Sequence, residues 1–169
     1  YAGRISIEKN LQLMEKLDLL RGEGITFVGD GPYKAHLEKT LPDATFTGFL
    51  QGEDLQQAYA DSDIFLFPSK TDTFGNAVLE AMSAGLPVVV TNVLGPKDFV
   101  IHGETGFIAE SDEEFVKYHR MLVDDHALRK EMGKKARDYA LKQSWDIIFE
   151  TQLIDNYRKV LQESKQGAN

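Results

Sequence analysis

Cysteine is absent from all 169 positions. That excludes a disulfide scaffold, a thiolate metal site and a cysteine nucleophile. Basic residues are in deficit: 19 Lys and Arg stand against 27 Asp and Glu, a formal net charge of −8. This balance excludes a broad nucleic-acid surface and leaves room only for a local basic pocket around a small anion. No run of about 18 apolar residues occurs, so no segment reads as a membrane span. The longest runs, residues 64–68 and 86–90, are strand-sized. Tyr1-Ala2-Gly3-Arg4 has neither the basic start nor the apolar core of a signal peptide. The chain opens on what reads as the end of a strand, and the expectation is a domain cut from a longer protein. What is present, 42% hydrophobic and 27% charged residues, is the composition of a globular domain with one core.

Short apolar runs alternate with amphipathic stretches. Residues 1–3 read as the stub of a strand. Leu11, Met14 and Leu17 recur at spacing three, with Leu13 and Leu20 widening the face, and predict a helix over 10–20. Residues 25–28 form a compact strand closed by Gly29-Asp30-Gly31, and Pro32 suits the first position of a helix to about Thr40. A short strand over 44–47 and a helix over 53–60 follow. Residues 64–67 and 88–90 are apolar at every position, the pattern of strands covered on both faces in a parallel sheet. The helix between them, 75–84, carries Val78, Leu79 and Met82 on one face and meets Gly85, which suits a C-terminal cap. Ile108 closes a further strand. Ser111-Asp112-Glu113-Glu114 is a capping box opening a helix to about Val123. Helical stretches over 127–142 and 145–161, then a polar tail, complete the chain. The order predicts an α/β fold in one domain over residues 1–169. It is a Rossmann-like doubly wound parallel sheet of about six strands, with flanking helices and a helical C-terminal segment.

Common motifs fail. Gly29-x-Gly31 starts like a dinucleotide loop, but Lys34 holds the place of the third glycine and Pro32 interrupts it. No Walker A sequence occurs. Ser6-x-x-Lys9 matches one β-lactamase element without the Ser-Asp-Asn or Lys-Thr-Gly that should follow. His36, His102, His119 and His126 make no metal pair at helical spacing. Asp61 and Asp63 precede a strand, at the edge opposite the one where open α/β sheets bind ligands.

Four segments remain, each after a predicted strand. Gly3-Arg4 with Glu8-Lys9-Asn10 supplies two cations, and a diphosphate suits a bidentate guanidinium beside an ammonium point charge. A solvated loop fits the same spacing equally well. Gly29 and Gly31 permit either a close backbone approach to a ligand or a tight turn. Residues 69–76 form a polar loop running into a helix with Gly75 at its mouth, where the helix dipole favours a phosphate. Asn76 and Glu80 lie four apart on one helix face. Glu80 interrupts an apolar stretch, and its carboxylate either accepts from a partner such as a vicinal diol or simply faces solvent. Residues 92–98, with Gly95-Pro96, indicate only a loop.

Taken together and in register, these residues resemble the C-terminal, donor-binding half of retaining group 1 glycosyltransferases of the GT-B fold. The resemblance rests on Gly3-Arg4 with Glu8-Lys9-Asn10, Gly29-Asp30-Gly31-Pro32, Phe46-x-Gly48 and Tyr59-x-x-Ser62-Asp63 running to Phe67-Pro68-Ser69. It continues through Asp72-x-Phe74-Gly75 with Leu79-Glu80-Ala81-Met82, Gly85-x-Pro87-Val88-Val89 and Gly103-x-x-Gly106. The resemblance implies a catalytic set of Arg4, Lys9, Asp72 and Glu80. In it Arg4 and Lys9 hold the nucleotide diphosphate, Glu80 binds the ribose hydroxyls and Asp72 contacts the donor sugar. Asp72 departs from the family's usual Glu, keeping the carboxylate on a side chain one methylene shorter. Gly3, Gly29, Gly31, Phe49, Phe74, Gly75 and Asn76 complete the implied donor-binding set.

The donor substrate implied is a UDP- or GDP-sugar, with no cofactor and no metal. The overall likeness is to bacterial transferases that move a mannosyl or glucosyl group to a lipid or polysaccharide, and residues 41–49 and 73–76 are similar to GDP-mannose-dependent members. The partners implied are the nucleotide sugar and an N-terminal acceptor domain absent from this sequence, and no nucleic acid. The full-length protein is then expected in the cytoplasm, associated peripherally with the inner face of the membrane through the absent half. This chain alone is expected to transfer no sugar. Two other readings stand beside this one. Half of a GT-B sugar-nucleotide epimerase would want further catalytic acids and a histidine. A non-enzymatic Rossmann-type module, such as a signalling receiver, would want an acidic cluster without these cations.

Overall fold

The structure is a computed structural model that describes residues 1–20, 22–72 and 75–143. Its strands are β1 (Thr26–Val28), β2 (Thr45–Gly48), β3 (Phe65–Phe67), β4 (Val88–Thr91) and β5 (Gly106–Ala109). Its α-helices are α1 (Lys34–Thr40), α2 (Gly52–Ala60), α3 (Asn76–Ser83), α4 (Asp112–Asp124) and α5 (His126–Leu141). Short 3₁₀ segments occupy Ile7–Lys9, Leu11–Lys16 and Pro96–Phe99. The expected helix over 145–161 lies outside the described residues.

Among the described residues these strands pair with one another in parallel. β1 lies beside β2, and β4 lies between β3 and β5. β3 and β4 are buried at every residue, as continuous apolar runs predict for strands between helical layers. The α/β class is therefore as read, but the sheet is smaller than about six strands: among the described residues five strands form two parallel sets. The expected strand over 1–3 is reduced to a single bridge from Ala2 to Val28. Beyond that bridge the backbone leaves strand geometry to follow the loop after β1. Gly3 N–H donates to Val28 O at 2.9 Å and Ile5 N–H to Asp30 O at 2.9 Å. Aromatic rings join the two strand sets. Phe46 stacks on Phe27 at 5.0 Å, and Tyr1 lies 6.2 Å from Phe27 and 5.8 Å from Phe67.

The segment expected as a helix over 10–20 is instead a 3₁₀ turn that ends at Lys16. The reason lies in the spacing: Leu11 and Met14, three apart, fall on one line in a helix of three residues per turn, and both are buried. α3 ends as Gly85 predicts. Gly85, at φ +90°, donates to Met82 O at 2.9 Å and Leu86 N–H donates to Ala81 O at 3.1 Å, a Schellman motif. At the start of α4, Ser111 Oγ accepts from Glu114 N–H at 3.2 Å. The Glu114 carboxylate takes the N–H of Glu110 at 2.9 Å rather than that of Ser111, so the box closes one residue early.

Candidate functional site

A cavity of about 440 Å³ opens where the loops after β1 and β2 meet α3 and the start of the chain. Gly3 and Arg4, Gly29 and Asp30, Phe49, and Asn76 and Glu80 each border it. Val28, Leu50, Leu55 and Ala77 supply an apolar wall. An apolar cavity of this size with a few converging polar groups suits a small molecule, for which sites run roughly 300–1,000 Å³.

Close contact between two backbone segments explains the glycines. A Cβ on Gly29, at φ +131°, would lie 2.0 Å from Gly3 O. A Cβ on Gly31 would lie 2.2 Å from Ile5 O, which also accepts from Tyr33 N–H at 3.0 Å. The close approach open to both glycines is thus to the chain's own residues 3–5. Gly29 still borders the cavity, whereas Gly31 lies off its lining.

Residues 8–10 are stitched to the loop after β3. Lys9 Nζ donates to Asp72 Oδ1 at 2.8 Å, and Thr71 Oγ1 donates to Glu8 O at 3.2 Å. Asn10 is buried in the left-handed conformation, φ +55°, and its Nδ2 donates to Pro68 O at 3.2 Å. The Lys9–Asp72 pair lies off the cavity lining, and Arg4 is exposed on it. Asp72 Oδ2 is buried without a hydrogen-bond partner among the described residues. A buried acceptor left open in this way is suited to a donor from a ligand.

Glu80 answers the question its position raises. Its Oε2 accepts from the Tyr59 hydroxyl at 3.0 Å. Tyr59 is buried, and that burial, with the Glu80 charge beside it, pushes the phenol up, so it stays protonated and donating at neutral pH. Asn76 and Glu80 share the cavity, as their spacing predicts. Gly75 is the N-cap of α3 and packs against the Pro96–Phe99 turn; a Cβ there would meet Pro96 Cα at 2.8 Å. Among the described residues no side chain caps α3. Phe49 is 75% exposed at the cavity rim. Phe74 lies outside the described residues. Among the described residues, no three acids or histidines gather as metal ligands.

The family model of "Glycosyl transferases group 1" matches residues 1–125. The chain belongs to the group 1 glycosyl transferases. The resemblance read from the motifs, to the C-terminal, donor-binding half of such enzymes, agrees with this membership. The sulfoquinovosyl transferase of Arabidopsis thaliana is 44% identical over 153 residues, covering 86% of this chain and 30% of that protein. A GDP-mannose-dependent alpha-mannosyltransferase of Mycolicibacterium smegmatis is 33% identical over 161 residues, covering 95% of this chain and 43% of that protein. The chain therefore spans less than half the length of these relatives. The crystal structure of Anabaena HepE in complex with UDP shares the fold. Its TM-score is 0.76 at 22% identity, over 94% of this chain and 47% of that one.

For this group 1 glycosyl transferase chain, the motifs contain Tyr59 but assign it no part in the site. The signal that singles it out is helical spacing: Leu55 and Tyr59 are four apart on α2 and both border the cavity. Asp30 is a second residue of this kind, bordering the cavity with its Oδ1 held by Gly31 N–H at 2.7 Å.

Proposed function

We propose that the chain is the nucleotide-sugar-binding half of a retaining, metal-independent transferase that moves a mannosyl or glucosyl group. In the full-length protein a domain outside this sequence would hold a lipid or polysaccharide acceptor, at the cytoplasmic face of a membrane. The observation that carries the reading is the convergence of Arg4, Asn76 and Glu80 on one cavity, with Lys9 anchored nearby in chain to Arg4 by Asp72. The GDP-mannose dependence of the mycobacterial relative and the UDP in the HepE complex both support a nucleotide-sugar donor.

The chemistry follows from these groups. The bond from the sugar's anomeric carbon to the diphosphate oxygen breaks, and its electron pair stays on the diphosphate. Arg4 offers that charge two parallel N–H donors, Lys9 a point charge and the N-terminus of α3 a partial positive charge. The acceptor oxygen then bonds to the anomeric carbon on the face the diphosphate left and passes its proton to the departing diphosphate oxygen, so the configuration is retained. Glu80 accepts from the ribose hydroxyls. Asp72 uses Oδ1 for Lys9 and keeps Oδ2 for a hydroxyl of the sugar. The wall of Leu50 and Leu55, with Phe49 at the rim, suits the flat faces of a base.

The test is transfer by the full-length protein from UDP-glucose or GDP-mannose to a lipid and polysaccharide extract of the source cells. The product's anomeric configuration is read by NMR. The expected result is a retained configuration, a rate unchanged by EDTA, and no transfer by this chain alone. An inverted product, or a rate abolished by EDTA and restored by a divalent ion, would contradict the proposal.

A further inference from the structure

Building on the reading of Glu80 as the ribose ligand, we propose that Tyr59 is the positioning residue that sets the site's preference for ribose over deoxyribose. The Tyr59 ring is 7% exposed and packs edge-on against Phe65 of β3, with centroids 5.8 Å apart. Its hydroxyl therefore has a fixed place, and from there it donates to Glu80 Oε2 at 3.0 Å. Glu80 is an exposed side chain on α3, and such a side chain otherwise samples many rotamers. A bond from a rigid donor selects one of them, with the carboxylate beside the cavity that both residues border. Geometry fixed before the ligand arrives lowers the entropic cost of binding it.

The polarity of the bond matters as much as its rigidity. Tyr59 donates to the carboxylate, so the acceptor capacity of Oε1 stays open toward a diol. A ribose fills it with both hydroxyls of its diol, and a 2′-deoxyribose, left with the 3′ hydroxyl alone, leaves acceptor capacity unmet. Sites built to pair a hydroxyl reject ligands lacking it strongly, because their own polar group is left without a partner.

Tyr59→Phe removes the hydroxyl and keeps the ring against Phe65. The test is calorimetric titration of this chain with UDP, GDP and their 2′-deoxy counterparts, beside carbon-13 spectra of the Glu80 carboxyl at constant pH. The wild type is expected to bind its preferred ribonucleotide roughly tenfold more tightly than the deoxy form, the worth of one hydrogen bond to a charged group. Tyr59→Phe is expected to bring that ratio within about threefold and to shift the Glu80 carboxyl resonance. Glu80→Ala, which removes the carboxylate itself, is expected to erase the same preference. An unchanged ratio in Tyr59→Phe overturns the proposal, whether or not the resonance moves. A wild type that binds the ribo and deoxy forms alike overturns the reading of Glu80 and the proposal with it. That failure is visible before any variant is made.

Discussion

Residues 3–5 and the loop after β1 meet through backbone, not side chains, and the consequence is sharpest at Gly29. A methyl group there would lie 2.0 Å from Gly3 O, on a residue at φ +131°. Each effect alone costs about 1–3 kcal/mol. Gly29→Ala is therefore expected to lose roughly 2–5 kcal/mol of stability in urea unfolding. A loss within about 0.5 kcal/mol would mean that the two segments do not touch in solution. Single residues also mark where a chain pattern stops being informative. Arg4, Lys9, Asp72 and Glu80 are legible as charged groups after strands. That Lys9 reaches Asp72 across 63 positions, and Glu80 reaches Tyr59 across 21, follows only from how strands and helices pack. Close approach between Gly31 and Ile5 is hidden for the same reason, because the atom that forbids a side chain is a distant carbonyl.

Among the elements, β3 and β4 were the most legible, because a strand buried on both faces must be apolar at each position. The segment from Leu11 was less so, since a spacing of three serves a short α-helix and a 3₁₀ turn alike. On α4 the pattern places His119 among apolar neighbours without saying what that does. His119 is buried, and burial holds its imidazole below the ordinary 6.5; the charge of Arg120 acts the same way, while Glu23 and Asp124 act against it. The folded value is thus below the unfolded one, so the unfolded chain takes up the proton first. The stability from neutral His119 is complete above the unfolded value and is lost as pH falls toward the folded one. The melting temperature is expected to drop between pH 7 and 5, and His119→Gln is expected to flatten that slope. Equal slopes in the two proteins would show that His119 titrates alike in the folded and unfolded states.

The whole molecule carries a net charge of −8 and yet is proposed to bind a diphosphate. The two fit together because the cations that matter are few and placed: Arg4 on the cavity, and Lys9 five residues on, held by Asp72. Short-range contacts in a sheltered site outweigh a diffuse surface field that salt screens. The proposal that this chain holds the donor half of a sugar transfer depends on that arrangement more than on any other. Calorimetric titration of the chain with UDP, GDP and ADP tests it directly. One nucleotide is expected to bind, with affinity reduced about tenfold or more in Arg4→Ala and in Glu80→Ala and the melting temperature of the Arg4→Ala variant kept. No binding of any nucleotide at millimolar concentration, or binding that survives both substitutions, would contradict it.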